Sequence, residues 1–172
     1  MTSGQPGGAE QNGDHGPGVL VRPPLLYMGA LVLGVALDLA VMPASLDSLG
    51  LSGGARLLLG MALLAAGIFL MAAAMRRFAK AGTPVRTSEA VETLVTGGIY
   101  RLTRNPIYLG LTANYLGISV LADAPAALAL LAIVLPVMRY GVIGREERYL
   151  EGKYGDAYRA FKRRTGRWLG PV

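Results

Sequence analysis

The residues best equipped for chemistry gather in two short stretches. The first, residues 96–110, reads Thr-Gly-Gly-Ile-Tyr-Arg-Leu-Thr-Arg-Asn-Pro-Ile-Tyr-Leu-Gly. It is polar and glycine-rich up to Asn105 and apolar from Pro106 onward. Proline suits the first turn of a helix, where its missing N–H costs nothing, and asparagine suits the cap before it. A helix opening at Pro106 gathers Arg101, Arg104, Asn105 and Tyr108 at its mouth. Arginines beside a helix N-terminus favour an anion such as a carboxylate or phosphate. The structural alternative is that they anchor the helix to lipid headgroups. The second stretch begins at Glu146-Glu147, just beyond the next apolar run. If the two runs form a hairpin, two arginines and two glutamates meet at one mouth. A zwitterionic ligand with a carboxylate and a cation would suit such a place; inter-helix salt bridges are the plainer use.

Composition removes many chemistries. The chain has no cysteine and a single histidine, which is His15 in a glycine-rich tail. Thiolate catalysis, disulfides and a histidine-based triad or metal centre are therefore not expected. No glycine-rich dinucleotide fingerprint follows a strand, and there is no phosphate loop, HExxH or carboxylate cluster with metal spacing. The net charge of +6 does not point to nucleic acid, because the basic residues flank apolar runs and form no single patch. Anionic lipid explains them better. Group transfer from an already activated cofactor remains, since the protein then supplies mainly binding, orientation and desolvation.

These groups must be positioned by apolar elements. The chain is 52% hydrophobic and only 16% charged, with a mean hydropathy of +0.42. That is the balance of a polytopic membrane protein. Residues 1–19 read as a disordered tail without the basic and apolar regions of a cleavable signal peptide. Residues 20–172 read as one membrane domain. Apolar runs cover about Leu25 to Met42, Ala55 to Met75, Pro106 to Leu121 and Ala126 to Ile143. The first holds Asp38, a costly intramembrane carboxylate unless it reaches an interface or a partner. The second carries Gly60 and Gly67, which permit close helix packing, and is stopped by Arg76, Arg77 and Lys80. The long polar segment from Ala81 to Thr103 includes a possible surface helix at residues 88–95. In the fourth run, Pro136 removes a helix hydrogen bond and marks a place for a kink.

Beyond it, Leu150, Tyr154, Ala157, Tyr158 and Phe161 recur at helical spacing opposite a basic face, as in a helix lying on a membrane surface. The expected fold is all-α: about four transmembrane helices plus a C-terminal amphipathic cytoplasmic helix. Of the 17 lysines and arginines, only Arg56 falls on the side of the first and third turns. The positive-inside rule then puts both termini in the cytoplasm. The abundance of arginine, alanine and glycine suits a GC-rich bacterial genome, hence a bacterial inner membrane.

Three segments together resemble a known superfamily. Gly98-Ile-Tyr-Arg-Leu-Thr-Arg-Asn-Pro-Ile-Tyr-Leu-Gly110 is similar to the GxYRxxRHPxYxG motif of the isoprenylcysteine carboxyl methyltransferases and phospholipid methyltransferases. Glu146-Glu147-Arg-Tyr-Leu150 resembles their EExxL motif. Residues from Tyr154-Gly155 through Arg167 resemble their FGxxYxxYxxxVxR ending. The order and spacing agree over residues 96–169. The resemblance implies an integral membrane methyltransferase that uses S-adenosyl-L-methionine and takes a lipid-like or small hydrophobic acceptor. Carried over by position, Tyr100, Arg101, Arg104, Asn105, Tyr108, Leu109, Glu146, Glu147, Tyr154, Tyr158 and Arg159 would bind the cofactor. Arg167 and Glu147 would stand nearest the reaction. Asn105 occupies a position where the isoprenylcysteine enzymes usually carry histidine, and an amide cannot titrate. The resemblance leaves the acceptor open among phospholipid amine, prenylcysteine carboxylate, small thiol and isoprenoid. Two other readings are a membrane reductase of the sterol reductase type using NADPH, and a non-enzymatic membrane protein whose arginines and glutamates are structural.

Overall fold

The computed structural model describes residues 18, 20–40, 45–82 and 94–170. The N-terminal tail and the possible surface helix at residues 88–95 fall almost wholly outside them. The described residues form helices and turns and no strand. Helix α1 spans Pro23–Ala40, α2 Gly53–Ala81, α3 Pro106–Leu121 and α4 Pro125–Val137, and a π-helical turn at Met138–Ile143 leads into α5, Gly144–Arg164. Three helices are long and apolar enough to cross a membrane: α1, α2 and the continuous helix that begins with α4. Helix α3 is apolar but has 16 residues, fewer than the roughly 20 of a full span.

Helix α2 does not stop at Met75. It runs through Arg76, Arg77 and Lys80 to Gly82, whose left-handed backbone (φ 67°) returns its N–H to Ala79 O and Phe78 O. Arginine and lysine are good helix formers and sit favourably near a helix C-terminus, so the charges end the apolar stretch without ending the helix. At 29 residues it is about 43 Å long at 1.5 Å per residue.

Helices α2 and α3 lie antiparallel along a seam of glycines. A Cβ on Gly117 would lie 2.9 Å from Gly60 O, and one on Gly110 would lie 2.8 Å from Gly67 O. The seven-residue spacing on both helices keeps these contacts on one face while the backbones close together, as the glycines of the second run led one to expect. Helix α1 packs on α4, where Gly34 rests against Ala127. Asp38 is buried there and its carboxylate accepts from Ala126 N (3.0 Å) and Ala127 N (3.4 Å). The intramembrane acid is thus the cap for the otherwise unsatisfied N–H groups of α4. At the same end Asp123 is ion-paired to Arg56 and accepts from Ser45 Oγ and Leu46 N, both at 2.7 Å. Arg56 and these bonds hold the Asp123 carboxyl down at about 2.

The C-terminal amphipathic stretch is helical, as expected. It is continuous with the fourth span through the π turn, and its aromatic stripe packs on protein. Tyr158 and Phe161 are buried with Ala74 and Tyr100, and Leu150 and Tyr154 pack around them. Burying two aromatic rings against α2 and the loop before α3 removes them from water, so no lipid surface is needed for the purpose. Gly155 breaks the helix (φ 50°, ψ −122°). The chain folds back so far that Glu151 accepts from Lys162 Nζ at 2.9 Å and Arg159 Nε at 3.2 Å. In a straight helix residues 11 apart would be roughly 16 Å away. The reversal shifts the helical phase, leaving Ala157 exposed beside buried Tyr158.

Candidate functional site

The site lies at the basic end, where the loop before α3, the start of α5 and the last described segment converge. Tyr100 anchors the short 3₁₀ turn Gly98–Arg101 by stacking edge-on against Phe78 at 5.8 Å. The chain then reaches Thr103, fully buried. Thr103 Oγ1 accepts from Asn105 N (3.1 Å) and donates to Arg167 O (3.1 Å). Asn105 Nδ2 donates to the same carbonyl at 3.0 Å. Two backbone bonds complete the join, Arg104 N to Gly166 O and Gly170 N to Leu102 O, both 3.0 Å. Asn105 therefore occupies the cap position of α3, but its side chain makes no cap hydrogen bond. Its amide staples the C-terminal segment instead.

That staple places Arg167 opposite Glu147. The two form a bidentate pair, Nε to Oε1 at 2.9 Å and Nη2 to Oε2 at 2.6 Å. Arg104 Nη2 approaches Glu147 Oε1 at 3.4 Å. The side chains of Arg104 and Glu147 are 8% and 10% exposed. Arg104 Nε and Nη1 are buried with no hydrogen-bond partner among the described residues. A buried guanidinium with two unmet donors is costly unless something accepts from them. Beside this cluster Tyr108 donates to Glu146 Oε1 at 2.6 Å. Glu146 lies past the apolar run that ends at Ile143. Burial, with a smaller contribution from neighbouring Glu147, pushes its carboxyl up to about 7. Tyr158 also reaches this group: burial raises its hydroxyl to about 12, and Arg104 acts on it in the opposite sense.

A cavity of about 400 Å³ opens next to the cluster. Its walls are Leu109 and Thr112 of α3, Leu135 and Pro136 of α4, Arg139 and Tyr140 of the π turn, and Trp168. Volumes of roughly 300–1,000 Å³ are usual for small-molecule sites.

The expected residues thus divide. Arg104, Asn105, Tyr108, Glu146, Glu147, Tyr158 and Arg167 come together, and Leu109 lines the cavity. Tyr100 and Tyr154 belong to the aromatic packing that holds the loop, and Tyr100 also lies near enough to Glu146 to feel its charge. Arg101 and Arg159 are not at the cluster. Arg101 is exposed, because the turn that buries Tyr100 sends its neighbour outward. Arg159 is half-exposed on Asp156 (2.7 Å) and Glu151, where the break at Gly155 leaves it. The two arginines at the mouth are consequently Arg104 and Arg167. Thr103, Thr112, Arg139, Tyr140 and Trp168 were not singled out from sequence. Only Arg139 carried a signal, as a charge inside an apolar run.

Comparison with known proteins follows the same lines. The sequence pattern of the family described as phospholipid methyltransferase matches residues 55–157. The chain is 34% identical over 73 residues to "Cobalt-zinc-cadmium resistance protein CzcN" of Cupriavidus metallidurans, covering 42% of this chain and 33% of that one. It thus spans about a third of that relative's length. It is 41% identical over 49 residues to an uncharacterized protein of Haemophilus influenzae, covering 28% of this chain and 76% of that one. No solved structure is significantly similar to the chain.

Proposed function

The chain belongs to the phospholipid methyltransferase family, and from that premise we propose that it is an integral membrane methyltransferase that uses S-adenosylmethionine to methylate a lipid-like acceptor. One observation carries the reading: Arg104, buried and held by Glu147, keeps two donors unmet in a chain of this family. Such a group fits the carboxylate of the cofactor's methionine end, which could accept from one of these donors. Glu146, positioned by Tyr108, would receive the ammonium of that end. Glu147 serves as a positioning residue, since both its oxygens are engaged by arginines. Arg167 holds Glu147 in a bidentate pair and closes the C-terminal segment over the cluster. Asn105 and Thr103 hold that segment in place.

The bound cofactor supplies an activated methyl group on a sulfonium. The protein's share is to orient an acceptor heteroatom in line with that methyl and to exclude water. No histidine is needed for an acceptor that is already nucleophilic. On this reading residues 20–172 act as one methyltransferase domain, with the basic end in the cytoplasm of a bacterium and the acceptor arriving from the inner membrane.

The test is calorimetry of the detergent-purified protein with S-adenosylhomocysteine, with NADPH as the comparison ligand. The expected result is micromolar binding of the former and none of the latter. A folded sample that binds neither would return the arginines and glutamates to a structural role. Preference for NADPH would favour the reductase reading.

A further inference from the structure

Arg139 is a charge that the site described so far does not use. It stands in an apolar stretch, three residues after Pro136, on the π turn Met138–Ile143. It is exposed, and among the described residues no carboxylate pairs with it. Its guanidinium lies by the ring of Tyr140, 5.5 Å from the centroid. A cation beside an apolar span is costly and calls for an anionic partner. Single π turns inside α-helices are frequent at functional sites. This one leaves Gly141 O to accept from Leu20 N at 3.3 Å, and it presents Arg139 and Tyr140 to the cavity.

The rest of that cavity is lined by Leu109, Leu135, Pro136 and Trp168, with Thr112, whose hydroxyl is already bonded to Tyr108 O and Tyr27. One charged group at the rim and an apolar floor match an amphiphile with an anionic head. The cavity draws its walls from the same segments that carry the proposed methyl-transfer site. Arg167 is held in its charged form first by Glu147, and Tyr140 is near enough to add a weaker contribution. Trp168 follows Arg167 directly, and Leu109 follows Tyr108.

We propose that Arg139 is the specificity-determining residue for the acceptor: it binds the anionic head, phosphate or carboxylate, of a bilayer lipid whose chain lies along Leu109, Leu135 and Trp168. This rests on the methyltransferase reading for the word acceptor, while binding of the lipid does not depend on it.

Trp168 is the only tryptophan in the chain, so its fluorescence reports on this cavity alone. The purified protein in uncharged detergent would be titrated with three lipids sharing a 9,10-dibromostearoyl chain, whose bromines quench tryptophan on contact. The probes are the free acid, the lysophosphatidic acid and the uncharged monoglyceride. Saturable quenching by at least one anionic probe is expected at about tenfold lower concentration than by the monoglyceride, the size of one charge-assisted hydrogen bond. Which anion quenches at lower concentration identifies the head as carboxylate or phosphate. Arg139→Gln should bring the anionic probes to the level of the monoglyceride, and Arg139→Lys should retain part of the preference. Equal quenching by all three probes in the parent protein would overturn the proposal. So would a preference that survives Arg139→Gln, which would leave Arg139 as a membrane anchor. Calorimetry with S-adenosylhomocysteine on the same samples separates the two readings. Cofactor binding without anionic preference refutes the role of Arg139 alone. Anionic preference without cofactor binding upholds the lipid site and refutes the methyltransferase.

Discussion

Replacing Arg104 with methionine should make the empty protein more stable while weakening cofactor binding. Arg104, Glu147 and Arg167 carry two positive charges against one negative, with Arg104 and Glu147 largely buried and Arg167 partly exposed. Glu147 is already satisfied by its bidentate bond to Arg167, and the Arg104 contact is the longer one at 3.4 Å. Arg104 meanwhile leaves Nε and Nη1 buried and unpartnered. An unmet buried donor costs roughly 1–3 kcal/mol, and exchanging a buried charge for an apolar side chain of similar size is often neutral or stabilising. Arg104→Met leaves a neutral Glu147–Arg167 pair and removes both orphans. The net effect should be a gain of up to about 2 kcal/mol, a rise in melting temperature of up to about 6 °C for a chain of this size.

Binding should move the other way. A charge-assisted hydrogen bond to a carboxylate is worth at least about 1.5 kcal/mol, so S-adenosylhomocysteine should bind at least about tenfold more weakly. Thermal unfolding and calorimetry on parent and variant read both numbers. A residue that costs stability when the site is empty and contributes affinity when it is filled serves a ligand. A lower melting temperature with unchanged affinity would refute the reasoning and make Arg104 a structural ion pair.

Other expectations follow from the same geometry. Glu146 has a folded-state value of about 7 against an ordinary 4.5, raised by burial. The folded protein therefore binds the extra proton between those values, and the stability this contributes is present at low pH and lost as pH rises through 7. The loss is at most about 3 kcal/mol between pH 5 and 8. Unfolding of the empty protein across that range should show the slope, and Glu146→Gln should flatten it; an unchanged slope would place the titration elsewhere. Asp38 caps α4 at the end opposite the site. Asp38→Ala should cost about 1–2 kcal/mol in thermal unfolding and leave S-adenosylhomocysteine affinity as it was; a large loss of affinity would mean that α4 transmits the cap to its far end.

Local physics made much of this protein legible from its sequence. Hydropathy located the apolar helices among the described residues, because exclusion from water depends on composition and length and little on neighbours. Helix α3 begins at Pro106 and ends at Leu121 as read, since proline and the tight turn at Asp123 act on the backbone directly. The hairpin of α3 and α4 brings Arg104 and Tyr108 to Glu147 and Glu146 because two antiparallel neighbours must align their ends. Gly60 and Gly67 announced the seam with α3, as only small residues let backbones approach so closely.

Tertiary structure decided the rest. Which arginine meets Glu147 depends on the staple from Thr103 and Asn105 to Arg167 O, a contact about 60 residues apart that no local pattern encodes. The aromatic stripe of α5 could have faced lipid or protein. Periodicity shows that one face is apolar without saying what covers it, and the loop before α3 supplied the cover. The reversal at Gly155 turned Arg159 away from the site. The spacing of the motifs therefore determined which end of the bundle holds the chemistry. The long-range bonds determined which side chains reach it, because burial and charge pairing are settled only when distant segments meet.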